Sequence, residues 1–132
     1  MMKGINTYKQ VDTSASVQTA TPHQLIAMLY RGVLEALARA EGAIERKDIQ
    51  ARTQQINKAL DIIGNLRGTL DKEKGGEVAD SLETFYSAAT AQLLLANKDN
   101  DVERVQRLII EFGEMSDAWA QIPVEMHEVS AK

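Results

Sequence analysis

Residues 21–44 predict one long amphipathic helix with a well-defined start. Thr21 can act as the N-cap, Pro22 suits the first helical position, and Gln24 stands three residues after the cap, which gives a capping-box pattern. The apolar residues that follow recur at intervals of three and four, the spacing of a single helix face: Leu25, Met28, Leu29, Val33, Leu37, Ala40 and Ile44. This helix therefore needs partner helices to cover that face.

Three more amphipathic segments follow. The spacing predicts helices over residues 49–70 and 77–97 and a fourth helix that ends before Pro123. Asp48 is the expected cap of the second helix and Asn100 that of the fourth, and the charged stretch 71–76, which ends in two glycines, is expected to be a loop. Because short connections make consecutive helices antiparallel, we expect an all-α fold: an antiparallel up-down four-helix bundle.

The same spacing predicts which residues face the core. On the second helix, sevenfold spacing selects Ile49, Ile56, Ile63 and Leu70. On the third helix the inward set is Val78, Leu82, Phe85, Ala89, Leu93 and Ala96, and on the fourth it is Val102, Val105, Ile109, Phe112, Met115 and Trp119.

The chain ends are expected to lie outside this bundle. Residues 1–20 are polar with isolated apolar positions and predict a flexible or short-helical N-terminal segment. The bundle domain then spans residues 21–122, and residues 123–132 are expected to form a disordered tail.

The composition argues against several classes of function. The 132 residues carry a net charge of -4 and no basic stripe, which argues against a nucleic-acid partner, because phosphate binding depends on Lys and Arg. No apolar run approaches the roughly 18–20 residues of a membrane span, so we expect no membrane insertion. The chain has no cysteine, which excludes a thiolate nucleophile and is compatible with a reducing cytoplasm. We expect a soluble, intracellular protein.

No residue set predicts an enzyme. A di-iron bundle site needs inward Glu-x-x-His pairs, whereas the two histidines, His23 and His127, have no Glu three residues before them. The Ser and Thr residues of the leader have no base at a fixed position. We therefore expect no catalytic residue, no metal and no cofactor.

The last three helices carry more apolar residues than one stripe per helix requires. The additional residues are Ile62, Tyr86, Leu94, Leu95, Leu108 and Ile110. They fit a generous core with ordinary scattered exposure, or an apolar groove that accepts an amphipathic helix of another chain. A structural or adaptor bundle that uses this surface for self-association is the alternative.

Several stretches of the chain resemble the flagellar secretion chaperone family FliS. The resemblance begins at Tyr8 and continues through residues 17–32, which read Val-Gln-Thr-Ala-Thr-Pro-His-Gln-Leu-Ile-Ala-Met-Leu-Tyr-Arg-Gly. Similar segments follow at residues 58–63 (Lys-Ala-Leu-Asp-Ile-Ile), 82–86 (Leu-Glu-Thr-Phe-Tyr) and 117–119 (Asp-Ala-Trp).

This resemblance implies a cytoplasmic export chaperone. Such a protein would bind the disordered C-terminal segment of flagellin, prevent premature polymerisation and assist delivery to the flagellar type III export apparatus, with an export gate component as a further partner. It implies that the N-terminal segment covers part of the groove through Ile5 and Tyr8. We expect a monomer or weak homodimer whose partner-binding residues are Ile5, Tyr8, Ile62, Leu66, Tyr86, Leu94, Leu95, Leu108 and Ile110.

Overall fold

The computed structural model describes residues 20–122, which form four helices. These are α1 (Pro22–Arg46), α2 (Ile49–Gly68), α3 (Lys72–Asp99) and α4 (Val102–Ala120). α1 packs most extensively against α2 and α4, α2 also packs against α3, and the seam between α3 and α4 has the sparsest packing. This ring of neighbours is that of an up-down bundle, and it confirms the expected all-α class. The N-terminal segment, apart from Ala20, and the tail 123–132 lie outside the described residues.

The predicted start of α1 is confirmed. The Thr21 hydroxyl accepts a hydrogen bond from the Gln24 amide nitrogen at 3.1 Å, and the Gln24 side-chain oxygen accepts one from the Thr21 amide at 2.9 Å. α1 ends at Lys47, which adopts a left-handed conformation (φ 60°). Asp48 then caps α2 by accepting from the Ala51 amide at 3.1 Å, as the sequence predicts. These local bonds satisfy amides that the helix ends leave open.

The connection between α2 and α3 is shorter than predicted. Asp71 accepts hydrogen bonds from the Glu73 and Lys74 amides, each at 3.1 Å, so the chain is already helical at Lys72. The expectation of a loop over 71–76 is therefore wrong for most of that stretch. Only Gly76 departs from helical geometry, with φ 54° and ψ -128°, and it separates one short turn from the long body of α3.

Replacing Gly76 tests this break directly. A Cβ at Gly76 would have nothing within 4 Å, so Gly76→Ala introduces only the backbone penalty of a positive φ. We expect a loss of about 1–2 kcal/mol in the free energy of unfolding, measured by urea denaturation. Gly64→Ala is the control, because Gly64 is helical with equally open surroundings and should gain about 0.5–1 kcal/mol. The same sign of change in both variants would contradict the break.

The connection between α3 and α4 differs from the prediction by one residue. Asn100 is not the cap of α4; it takes a left-handed conformation (φ 54°) that closes α3. Asp101 is the cap and accepts from the Glu103 and Arg104 amides at 3.1 and 3.3 Å. Both residue types can cap a helix, but Asn tolerates positive φ better than most residues. Arg52 of α2 fixes this turn by donating to the Asn97 and Asn100 side-chain oxygens, each at 2.8 Å.

The core-facing side of α3 is rotated from the predicted one. Ala79 and Tyr86 are buried, whereas Val78 is 57% exposed and Leu82 and Phe85 are only half-buried. The remaining predicted positions, Ala89, Leu93 and Ala96, are buried as expected. On α4, Leu108 is buried, while Val102, Ile109 and Met115 are half-buried. Ile49, expected inward on α2, is exposed. Tyr86 faces inward because its hydroxyl bonds to that of Tyr30 on α1 at 2.6 Å.

Candidate functional site

An apolar groove opens at the seam between α3 and α4. It has a volume of about 410 Å³ and is lined by Glu77, Val78, Ser81, Leu82 and Phe85 of α3 and by Met115 of α4. The α3 residues recur at intervals of three and four, so they share one side of that helix. α4 lies beside this side of α3 but does not cover it, and the groove is the apolar surface that stays open. We call this surface the α3–α4 groove.

Aromatic rings of the core form the floor of the α3–α4 groove. The Phe85 ring lies 4.9 Å from the fully buried Phe112 ring of α4, and the Phe112 ring lies 6.4 Å from that of Tyr30. Both contacts have the tilted geometry that aromatic pairs favour. A ligand in the groove would therefore rest on the packed core rather than on mobile side chains.

Two buried phenols lie behind this floor. Tyr30 and Tyr86 share a hydrogen bond, so neither hydroxyl is left without a partner in the apolar interior. Burial raises the pKa of Tyr86 far above its ordinary value, with a smaller contribution from the neighbouring Tyr30. Burial also raises the pKa of Tyr30, although its hydrogen bond to Tyr86 opposes the shift. The pair is thus neutral at physiological pH and serves structure rather than acid–base chemistry.

Polar contacts hold both ends of α3. Near its start, Glu83 pairs with Lys72 and with Arg67 of α2, the latter at 3.5 Å. Toward its end, Arg104 of α4 donates to the Gln92 side chain and to Asp101 at 3.1 Å. The α3–α4 seam is therefore bridged by polar groups around Gln92, and the apolar opening lies on the other half of α3.

The end of α4 is joined to the start of α1 by His23 and Trp119. The Trp119 indole donates to the His23 carbonyl at 3.0 Å, the His23 ring and the Trp119 carbonyl are 2.9 Å apart, and the two rings stack at 4.9 Å. His23 therefore has a structural role, since it joins the first turn of α1 to the end of α4. Within residues 20–122, no group of acidic and histidine side chains has an arrangement suited to a metal ion.

The structure divides the predicted partner-binding residues into three sets. Ile62, Leu66, Tyr86 and Leu108 are buried in the core, so the expectation that Ile62, Tyr86 and Leu108 exceed the needs of the bundle is wrong. Leu94, Leu95 and Ile110 are exposed by 55%, 37% and 62%, but none of them lines the α3–α4 groove. Ile5 and Tyr8 lie outside the described residues.

Sequence reasoning missed the residues that do line the groove. It assigned Val78, Leu82, Phe85 and Met115 to the core, because they fit the inward periodicity of their helices. A signal was present on α3, where Ala79, Leu82 and Tyr86 offer a second face with the same spacing. Which of these two faces of α3 points into the core depends on the position of the Tyr30 hydroxyl, to which the Tyr86 hydroxyl bonds.

No helix among residues 20–122 combines the length and apolar character that crossing a membrane requires.

Comparisons with known proteins identify the family. The family model described as flagellar protein FliS matches residues 4–126. The flagellar secretion chaperone FliSB of Pseudomonas aeruginosa is 42% identical over 118 residues, which cover 89% of this chain and 94% of the relative. The flagellar secretion chaperone FliS of Salmonella typhimurium is 40% identical over 120 residues (90% and 89%), and that of Vibrio cholerae is 34% identical over 131 residues (99% and 96%). A family match over most of the chain, supported by these identities, places the protein in the FliS family of flagellar secretion chaperones.

Proposed function

We propose that this protein binds the C-terminal segment of a flagellin in the cytoplasm, keeps it from polymerising prematurely and assists its delivery to the flagellar type III export apparatus. Family membership supports the role of a secretion chaperone. The α3–α4 groove is the observation that supports binding of an apolar chain segment. An export gate component is the second partner in this proposal, and no catalytic step is required of any residue.

The groove suits one side of an amphipathic helix. Its volume of about 410 Å³ has room for a few apolar side chains at helical spacing. A segment that is disordered when free and becomes helical in the groove loses conformational entropy on binding, so the apolar contacts must offset that loss. Val78, Leu82, Phe85 and Met115 supply these contacts, and the acidic side chain of Glu77 lies at the edge.

We assign the N-terminal segment a covering role in the same proposal. α1 begins beside the end of α4, as the bonds between His23 and Trp119 demonstrate, and the groove includes Met115 near that end. Residues preceding Thr21 are therefore attached within reach of the groove. In this arrangement Ile5 and Tyr8 compete with the client, and their displacement accompanies flagellin binding.

A matched pair of substitutions tests the site. Val78 and Ile110 are both apolar and similarly exposed, but only Val78 lines the groove. We expect Val78→Asp to weaken flagellin binding at least about tenfold, because a carboxylate would have to be desolvated against apolar surface. Ile110→Asp should bind as the unchanged protein does. Isothermal titration calorimetry measures both, with the helical circular dichroism signal as the check on folding.

A truncated flagellin is the control for the proposed binding segment. Flagellin that lacks its C-terminal segment should not bind in the same titration. Equal affinity of intact and truncated flagellin would overturn the proposed client segment, and equal loss in Val78→Asp and Ile110→Asp would overturn the assignment of the groove.

A further inference from the structure

Met115 forms the α4 side of the α3–α4 groove. Within residues 20–122 it is the one residue of α4 that lines the groove, and the other lining residues belong to α3. Its side chain is half-buried, packs against the core and borders the opening. An apolar segment bound in the groove would therefore rest on the Met115 thioether, and a chemical change at this sulfur would change that side of the groove.

The thioether of methionine is open to one such change. A peroxide transfers one oxygen atom to the sulfur: the O–O bond breaks, an S–O bond forms, the sulfur is oxidised by two electrons and the peroxide is reduced to water. The thioether is apolar, whereas the sulfoxide is polar and accepts hydrogen bonds. Because the chain contains no cysteine, no thiol of this protein competes for the peroxide.

The structure separates Met115 from Met28, the other methionine within residues 20–122. Met28 of α1 is buried, with 7% of its surface exposed. Met115 is half-buried and borders an open groove. Since the peroxide must touch the sulfur to oxidise it, Met115 is the more accessible of the two.

The backbone of α4 is anchored on both sides of Met115. Phe112, about one turn earlier, is fully buried. Trp119, about one turn later, is buried and donates a hydrogen bond to the His23 carbonyl. These contacts fix the position of α4 around Met115. An oxygen atom on the Met115 sulfur therefore alters the surface of the groove rather than the packing of the bundle.

We propose that Met115 is an oxidation site that controls binding in the α3–α4 groove. The thioether form accepts the apolar client segment, the sulfoxide form rejects it, and reduction of the sulfoxide restores binding. A client side chain packed on the sulfoxide would remove water from its oxygen without replacing the hydrogen bond, which is unfavourable. The inference rests on the proposed function, because flagellin is the client whose affinity changes.

Treatment of the full chain with hydrogen peroxide tests the site itself. Peptide mapping by mass spectrometry should show that the sulfoxide forms at Met115 at least about fivefold faster than at Met28. Saturating flagellin should slow the oxidation of Met115, because the bound segment covers the sulfur. Equal rates at the two methionines of the free protein would overturn the proposal, as would an unchanged Met115 rate in the flagellin complex.

Calorimetric titration with flagellin measures the effect on binding. The peroxide-treated protein should bind at least about fivefold more weakly than the untreated protein. Methionine sulfoxide reductases should then restore the affinity. Met115→Leu has an apolar side chain of similar volume that cannot be oxidised in this way, and its affinity should be the same before and after treatment. This variant retains every other methionine of the chain, so it reveals any loss that they cause.

Met115→Gln imitates the sulfoxide with a polar side chain of similar length. It should bind flagellin as weakly as the peroxide-treated protein does, and its helical circular dichroism signal should match that of the unchanged protein. Loss of affinity in treated Met115→Leu, or full affinity in the treated unchanged protein, would overturn the oxidation site and leave the proposed function intact. Absence of binding by the untreated protein would overturn the proposed function, and this inference with it.

Discussion

Phe112→Ala is expected to lower the free energy of unfolding by about 3–5 kcal/mol. The Phe112 ring is fully buried, lies 4.9 Å from the Phe85 ring and contributes to the floor of the α3–α4 groove. Removing it leaves a cavity between α1, α3 and α4 that the surrounding helices can fill only in part. Urea denaturation followed by circular dichroism measures the change.

Two other alanine substitutions serve as comparisons for Phe112→Ala. Ile110→Ala removes an exposed side chain and should change stability by less than about 0.5 kcal/mol. Tyr8→Ala should leave the thermal midpoint unchanged and alter flagellin affinity, since we assign Tyr8 to the cover. If Tyr8→Ala and Phe112→Ala lost equal thermal stability, the assignment of the N-terminal segment as a removable cover would be wrong.

Stability is expected to fall steeply above pH 10 because of Tyr30 and Tyr86. Both phenols have an ordinary pKa of 10.0, and burial raises the pKa of each in the folded protein. Above pH 10 the unfolded chain releases these protons while the folded chain retains them, so unfolding becomes more favourable as the pH rises. The stabilisation is fully present below pH 10, and above it each phenol contributes a loss of about 1.4 kcal/mol per pH unit until its folded pKa is reached.

The double variant Tyr30→Phe/Tyr86→Phe isolates this effect. It removes both hydroxyls together, so no buried donor or acceptor is orphaned, and we expect stability at pH 7 to change by less than about 1.5 kcal/mol. Above pH 10 the double variant should lose less stability than the unchanged protein, because it has no buried phenol to titrate. Some loss of stability should remain in both proteins, because their other groups titrate alike. Either single variant should lose about 1–3 kcal/mol at pH 7, because it leaves one buried hydroxyl unpaired. Superimposable alkaline profiles for the unchanged protein and the double variant would contradict the buried pair.

Sequence reasoning succeeds where a few neighbouring residues decide the structure. The capping box of Thr21 and Gln24 and the cap at Asp48 depend on bonds within three residues, so local sequence determines them. The predicted N-cap of α4, Asn100, is one residue too early, because adjacent Asn and Asp residues can each terminate or begin a helix. The up-down order follows from short connections between long helices.

The groove could not be located in the same way, because it depends on the rotation of α3. The faces that contain Val78 and Ala79 have nearly equal periodicity, and the hydrogen bond between Tyr30 and Tyr86, 56 residues apart, favours the second. Similarly, Ile62 exceeds the number of apolar residues that a single buried stripe on α2 would require. α2 packs against both α1 and α3, so it buries two adjacent sides, and Ile62 belongs to one of them.

The bonds between His23 and Trp119 also decide where a label can be attached. They hold the first turn of α1 against the last turn of α4, so the described chain starts and stops at the pole of the bundle that contains Met115. A fluorophore attached at Ala20 or Ile122, the ends of the described chain, therefore lies at the same pole as the α3–α4 groove, where it can compete with flagellin in a titration. The turns at Lys47 and Asn100 occupy the opposite pole, and a dye attached at Lys47 would report binding without that interference.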